Sequence, residues 1–127
     1  MTHLFLFWGA VNAALAVAMG AFGAHGLKQS MEPALLAVYQ TGAQYHLFHA
    51  LGLLLVGVIA RARGDRLLAV SGWLLLAGMV LFSGSLYLLA ITGERWLGAI
   101  TPFGGTAFIL AWLLLAVAAW RRSPGDA

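Results

Sequence analysis

The sequence has no cysteine, three prolines and only four acidic residues against seven basic ones. Without cysteine there is no disulfide framework, no thiolate metal site and no thiol nucleophile. Charge is too scarce to cover a water-soluble surface: soluble domains carry about 25% charged residues, and this chain carries 9%. The acids Glu32, Asp65, Glu94 and Asp126 all fall outside the long apolar runs. No carboxylate is therefore placed inside those runs to orient a histidine beside a serine or to complete a metal site. The net charge of +3 does not point to nucleic acid. Arg61, Arg63 and Arg66 form one cluster and Arg121 and Arg122 another, neither with interleaved aromatics. Basic residues beside apolar stretches fit membrane topology instead, and no nucleic-acid partner is expected.

What the chain has in abundance is hydrophobic residues, 62% of the total. A bilayer core about 30 Å thick is crossed by about 20 apolar residues in a helix. Four stretches qualify, at about 3–24, 33–60, 67–92 and 99–120. The chain is thus expected to be all-α, a single domain over 1–127 built as an integral membrane bundle of four transmembrane helices. Ala21 to Ala24 offers the small residues of a signal-peptide cleavage site, but no Lys or Arg precedes the first apolar run. Pro33 suits a first helical turn, and Thr101-Pro102 predicts an N-cap and first-turn pair.

With four crossings, the 61–66 loop and both termini share one side, which holds five of the seven Lys and Arg residues; Lys28 and Arg95 hold the other. The positive-inside bias predicts that both termini are cytoplasmic. In that frame the outer half of the bundle collects His25, Gln40, Thr41, Gln44, Tyr45, His46, His49, Ser83, Ser85, Tyr87, Thr92, Thr101 and Thr106. The inner half is leucine-rich, with Asn12 and Ser71 as its polar residues near or below the midplane. A pore through one subunit would need water-tolerant lining along its whole length, which the inner half does not offer. An outward-facing polar pocket closed below by leucine is expected.

On helix two, Gly42, Tyr45, His46, His49, Leu53 and Val56 share one broad face at about 100° per residue. Ionisable groups inside a membrane are costly, so His46 and His49 should be neutral and face protein or a cavity. Three readings of the histidines stay open. They tie helices together; or His25, His49 and a tyrosine line a ligand or proton-handling site; or His25, His46 and His49 hold a metal, the last two being spaced i, i+3. On helix one, Gly9, Ala13, Ala16, Gly20 and Gly23 form a smooth seam for close helix packing, with the partner helix left undetermined. No cofactor motif and no nucleophile elbow is present, so an enzyme is not expected.

Four strings, in order along nearly the whole chain, carry a resemblance. They are Gly20-Ala-Phe-Gly-Ala-His25-Gly26, Tyr45-His-Leu-Phe-His49, Phe82-Ser-Gly-Ser-Leu-Tyr87 and Thr101-Pro-Phe-Gly-Gly105. Together they resemble the domain-of-unknown-function 423 family, small four-helix bacterial inner-membrane proteins similar to animal transmembrane protein 256. The resemblance implies architecture and location, not an activity. It carries His25, Tyr45, His49, Ser83, Ser85, Tyr87, Thr101 and Pro102 as matching polar-motif positions. His46 matches less securely, since the family pattern admits glutamine there, and this shifts weight from a metal pair toward His25 with His49. The expected role is non-enzymatic: binding a small ligand, a lipid or a partner segment near His25 and His49, with membrane lipids and a homo-oligomer or membrane-protein partner as candidates. An accessory subunit of a larger membrane complex is the alternative, and transport of a small solute or proton a third.

Overall fold

The structure, a computed structural model, describes residues 2–121; Arg122 and Asp126 lie outside the described residues. Four long apolar helices make up the molecule: α1 (Thr2–Leu27), α2 (Pro33–Ala62), α3 (Arg66–Thr92) and α4 (Arg95–Trp120). No strand occurs among the described residues. Helices of 26 to 30 residues run about 39–45 Å, longer than the hydrocarbon core, so their ends reach into the interfaces or the helices tilt. This architecture follows from the solvent. In lipid every backbone N–H and C=O must be satisfied within the segment, and a chain without strand-like alternation can do that only as helix.

The ends show local chemistry. Pro33 opens α2. The Asp65 carboxylate accepts from the Leu67 N–H at 2.9 Å and caps α3. Gly93, at φ 75°, takes the left-handed conformation that ends α3 and donates its N–H to the Leu89 carbonyl. The Arg63 guanidinium donates to the carbonyls of Ala118 (2.7 Å) and Arg121 (3.2 Å) and lies 3.9 Å from Asp65. It therefore pins the α2–α3 loop to the C-terminal carbonyls of α4, where a cation is favoured. The Thr101 cap expected from sequence does not form. A 3₁₀ turn at Arg95–Ala99 feeds directly into α4, Ile100 is already right-handed helical, and Thr101 uses its hydroxyl across the bundle.

The seam on α1 faces α2, so its partner is internal. A side chain placed on Gly9 would meet Leu54, one on Gly23 would meet the Tyr39 ring, and Gly57 of α2 receives Leu6. Gly20 departs from the seam and faces open space. α3 packs on α4 with Phe108 seated on Gly78, and α1 reaches α3 through Phe5, which lies on Gly72 and edge-on to Trp73. Trp112 covers Gly52 of α2. Lipid removes the hydrophobic drive between helices, so close packing of this kind and interhelical hydrogen bonds hold the bundle.

Three helix pairs, α1–α2, α2–α3 and α3–α4, each have a polar tie to a backbone carbonyl. Tyr39 donates to Met19 O (2.6 Å), Ser83 to Gly42 O (2.7 Å) and Ser71 to Ala111 O (2.8 Å). Ser71 and Ser83 are fully buried. Ser71→Ala removes a donor and leaves a carbonyl that still has its helical partner, so the expected loss is modest, about 0.5–1.5 kcal/mol. Reversible unfolding in mixed micelles measures it; a loss above this range would show that the hydroxyl has a further role.

Candidate functional site

Above the Phe5–Gly72 contact, α1 and α3 part and leave a crevice of about 300 Å³. Its lining comes from Asn12, Leu15 and Met19 of α1, His46 of α2, and Met79, Val80, Gly84 and Tyr87 of α3. Most of that wall is aliphatic or thioether, and the polar atoms come from three residues: Asn12, His46 and Tyr87. The crevice occurs where α3 is irregular. Met79–Ser83 forms a π turn, in which the Gly84 N–H bonds back to the Met79 carbonyl five residues earlier. Such turns take up an extra residue, re-aim the side chains that follow and are frequent at functional sites. Gly84 then contributes a gap, because a Cβ added there meets nothing within 4 Å.

The polar end is a continuous hydrogen-bond chain whose directions can be assigned. The Asn12 amide nitrogen donates to the Trp8 carbonyl at 2.8 Å. The reversed amide would set oxygen against oxygen, so Oδ1 must be the atom that faces His46 Nε2, at 2.9 Å. Nε2 is therefore the protonated nitrogen of a neutral ring. Nδ1 keeps the lone pair and accepts from the Tyr87 hydroxyl at 3.0 Å. One chain thus links α3, α2 and α1 in the order Tyr87 to His46 to Asn12 to the Trp8 carbonyl. His46 is 7% exposed and Tyr87 9%. Buried polar groups of this kind are retained only when satisfied, and no fully buried polar side-chain atom among the described residues lacks a partner.

His49 is engaged elsewhere. Its Nδ1 donates to the Tyr45 carbonyl at 2.6 Å, and its ring stacks on Phe108 at 3.6 Å with Trp112 tilted beside it. His46 therefore turns toward α1 and α3, and His49 toward α4. This is why the i, i+3 pair does not converge on one ion, and no group of three candidate metal ligands occurs among the described residues. His25 lies exposed in the last turn of α1. Gly23 packs on Tyr39, ten positions before His49, so His25 sits about 15 Å of helix away from His49. The two residues weighted most by the motif reading are not brought together.

The remaining motif residues are placed as follows. Tyr45, 40% exposed, rests on Phe82 at the rim of the α2 face. Ser83 ties α3 to Gly42. Ser85 and Thr101 share a hydrogen bond of 2.6 Å between α3 and α4. Tyr87 alone of this group lines the crevice. Two other residues build the polar end of the crevice: Asn12, outside the motif strings, which anchors the hydrogen-bond chain, and His46, given less weight by the motif reading, which is its centre. Asn12 did carry a signal, since an amide in an uncharged span needs a partner.

A family model described as protein of unknown function (DUF423) matches residues 19–105. The chain belongs to this family. The matched residues include the crevice positions on α2 and α3, whereas Asn12 and Leu15 precede them. Among curated relatives, the chain is 52% identical over 73 residues to the UPF0382 membrane protein YwdK of Bacillus subtilis, covering 57% of this chain and 59% of that protein. It is 46% identical over 72 residues to the UPF0382 membrane protein SSP2132 of Staphylococcus saprophyticus, covering 57% and 59%. It is 47% identical over 74 residues to a UPF0382 membrane protein of Staphylococcus epidermidis, covering 57% and 58%. The matches thus span under two thirds of these relatives' lengths. No solved structure matches the chain.

Proposed function

We propose that this DUF423 protein is a non-enzymatic binding protein of the bacterial inner membrane, whose crevice between α1 and α3 takes a lipid-soluble molecule bearing one polar group. The observation that carries this reading is the pairing of a mostly apolar wall with one directed polar end inside a single crevice. Small-molecule sites typically have this composition and volumes of about 300–1,000 Å³, and this one lies at the lower end. Its walls are transmembrane faces, so entry is sideways from the bilayer. The orientation we propose places Arg61, Arg63, Arg66 and Arg121, which the structure gathers at one end, in the cytoplasm, with Lys28 and Arg95 at the outer end. The names of the relatives, membrane proteins of bacteria, support a bacterial membrane location.

The test is photo-labelling in native membranes with a diazirine-bearing long-chain lipid, followed by mapping of the labelled peptides. Labelling is expected to concentrate on Leu15–Met19 and Met79–Gly84. Gly84→Leu fills the gap without meeting a neighbour at Cβ, so it should fold normally and cut labelling by about tenfold, the cost of roughly 1.4 kcal/mol of lost fit. Labelling spread evenly over all lipid-facing surfaces, and unchanged in Gly84→Leu, would refute the reading.

A further inference from the structure

We infer that the arginine-bearing end of the bundle is a docking surface for the headgroups of anionic phospholipids, and that the opposite end is not. This inference is independent of the crevice. Among the described residues, one end carries Arg61, Arg63, Arg66 and Arg121 against Asp65 alone. The other carries Lys28 and Arg95 against Glu32 and Glu94, and is balanced. Asp65 is already committed, since its carboxylate caps the Leu67 N–H at 2.9 Å and lies 3.9 Å from the Arg63 guanidinium. Arg63 in turn uses Nη2 on the carbonyls of Ala118 and Arg121, which joins the α2–α3 loop to the end of α4. Arg61, Arg66 and Arg121 remain exposed, and none of them pairs with a carboxylate among the described residues. Three guanidiniums thus stand at one end without a counter-charge.

The position of these groups decides the partner. Apolar side chains stay exposed right up to the arginines: Val58 lies in the turn before Arg61, Val117 in the turn before Arg121, and Trp120, beside Arg121, is 90% exposed. Exposed tryptophan settles at the headgroup level of a bilayer, so the guanidinium next to it stands among phosphates. All four cations at this end are arginine, whose planar fork matches two phosphate oxygens, and the one lysine of the chain lies at the balanced end. Helix dipoles explain only part of the placement. Arg61 and Arg121 follow the C-terminal ends of α2 and α4, where a cation is favoured, but Arg66 opens α3, where the dipole disfavours one. An anion beside Arg66 is favoured by the guanidinium and by the helix end together. A zwitterionic headgroup neutralises its own phosphate, whereas a net-anionic one answers the unpaired arginines. An acidic protein segment offers the same charge without the acyl chains that lie along Val58 and Val117.

The experiment is native mass spectrometry of the purified full-length chain, released from micelles holding equal amounts of dioleoyl phosphatidylglycerol and dioleoyl phosphatidylcholine. The anionic lipid is expected to be retained on the order of tenfold more than the zwitterionic one at low salt, with the ratio falling as ionic strength rises. Replacing Arg61, Arg66 and Arg121 together by glutamine should bring the ratio close to one, with Arg63 left in place to hold the loop. Lys28→Gln with Arg95→Gln should leave the parent ratio unchanged. Arg66→Gln alone should lower it by about twofold, which keeps the assignment testable if the triple variant fails to fold. The soluble headgroup glycerophosphoglycerol, added in excess, should not displace the lipid; full displacement assigns the surface to free phosphodiesters and overturns the lipid assignment. Equal retention of the two lipids by the parent chain also overturns it, and leaves an acidic protein partner as the source of the counter-charge. A preference that survives in the triple variant, or that Lys28→Gln with Arg95→Gln removes, overturns the choice of end. Gly84→Leu should not change the ratio: loss of the preference there would move the anionic lipid into the crevice and overturn the surface.

Discussion

Replacing Gly104 by alanine is expected to disrupt the pairing of α3 with α4, the largest stability loss of any single methyl addition in the bundle. A Cβ at this position would fall on the backbone nitrogen of Phe82, with its Cα and Cβ at 2.8 and 2.7 Å. Backbone atoms cannot rotate aside as the end of a side chain can. The approach is mutual, since a Cβ on Gly78 would in turn sit 3.2 Å from the Gly104 carbonyl and against the Phe108 ring. Overpacking typically costs about 1–3 kcal/mol, and the upper end or beyond is expected where two helix backbones must separate. Gly105→Ala is the internal control. Its Cβ would meet only the Phe82 ring, at 3.7 Å, and alanine favours helix over glycine by about 1 kcal/mol. Thermal unfolding in detergent, with size-exclusion profiles, should therefore show Gly104→Ala strongly destabilised and Gly105→Ala equal to or above the parent chain. A Gly104→Ala protein that melts with the parent would disprove the close approach of α3 and α4.

The contrast between these adjacent glycines marks what could be read in the sequence. The spans were legible because the bilayer leaves few alternatives: 18 or more apolar residues without charge must be a helix. The α1 seam was legible as a packing surface, because small residues at steps of four and three line one helix face, yet its partner depends on which helix comes to it. The buried face of α2 was largely legible: Gly42, His46, His49, Leu53 and Val56 are buried in the bundle, whereas Tyr45, read on the same face, stays 40% exposed. What failed was phase and direction. In a regular helix Met79 and Tyr87 would lie about 80° apart, but the π turn between them takes up an extra residue and brings both to the crevice. Nothing in the residue types at Met79–Ser83 announces that turn. Likewise, one helix face can hold two histidines that point to different neighbours, and only the third dimension shows His46 turned to Asn12 and His49 to Phe108.

His46→Leu should cost more than the loss of one hydrogen bond. It removes the centre of the chain and leaves two orphans, the Asn12 carbonyl oxygen and the Tyr87 hydroxyl, in mostly apolar surroundings. An unsatisfied buried polar group costs about 1–3 kcal/mol, so a loss of about 2–4 kcal/mol is expected. Interhelical hydrogen bonds in membranes average about 0.6 kcal/mol, but that figure describes pairs whose partners find substitutes. Here each orphan has lost the only side-chain partner the structure gives it. The combined variant Asn12→Leu, His46→Leu and Tyr87→Phe removes donors and acceptors together. Apolar replacement of a whole polar set can be nearly neutral, so the triple variant should recover to within about 1 kcal/mol of the parent, above His46→Leu alone. Unfolding by denaturing detergent gives the order. A triple variant less stable than the single one would show that the three residues stabilise the bundle by packing instead of by their mutual satisfaction.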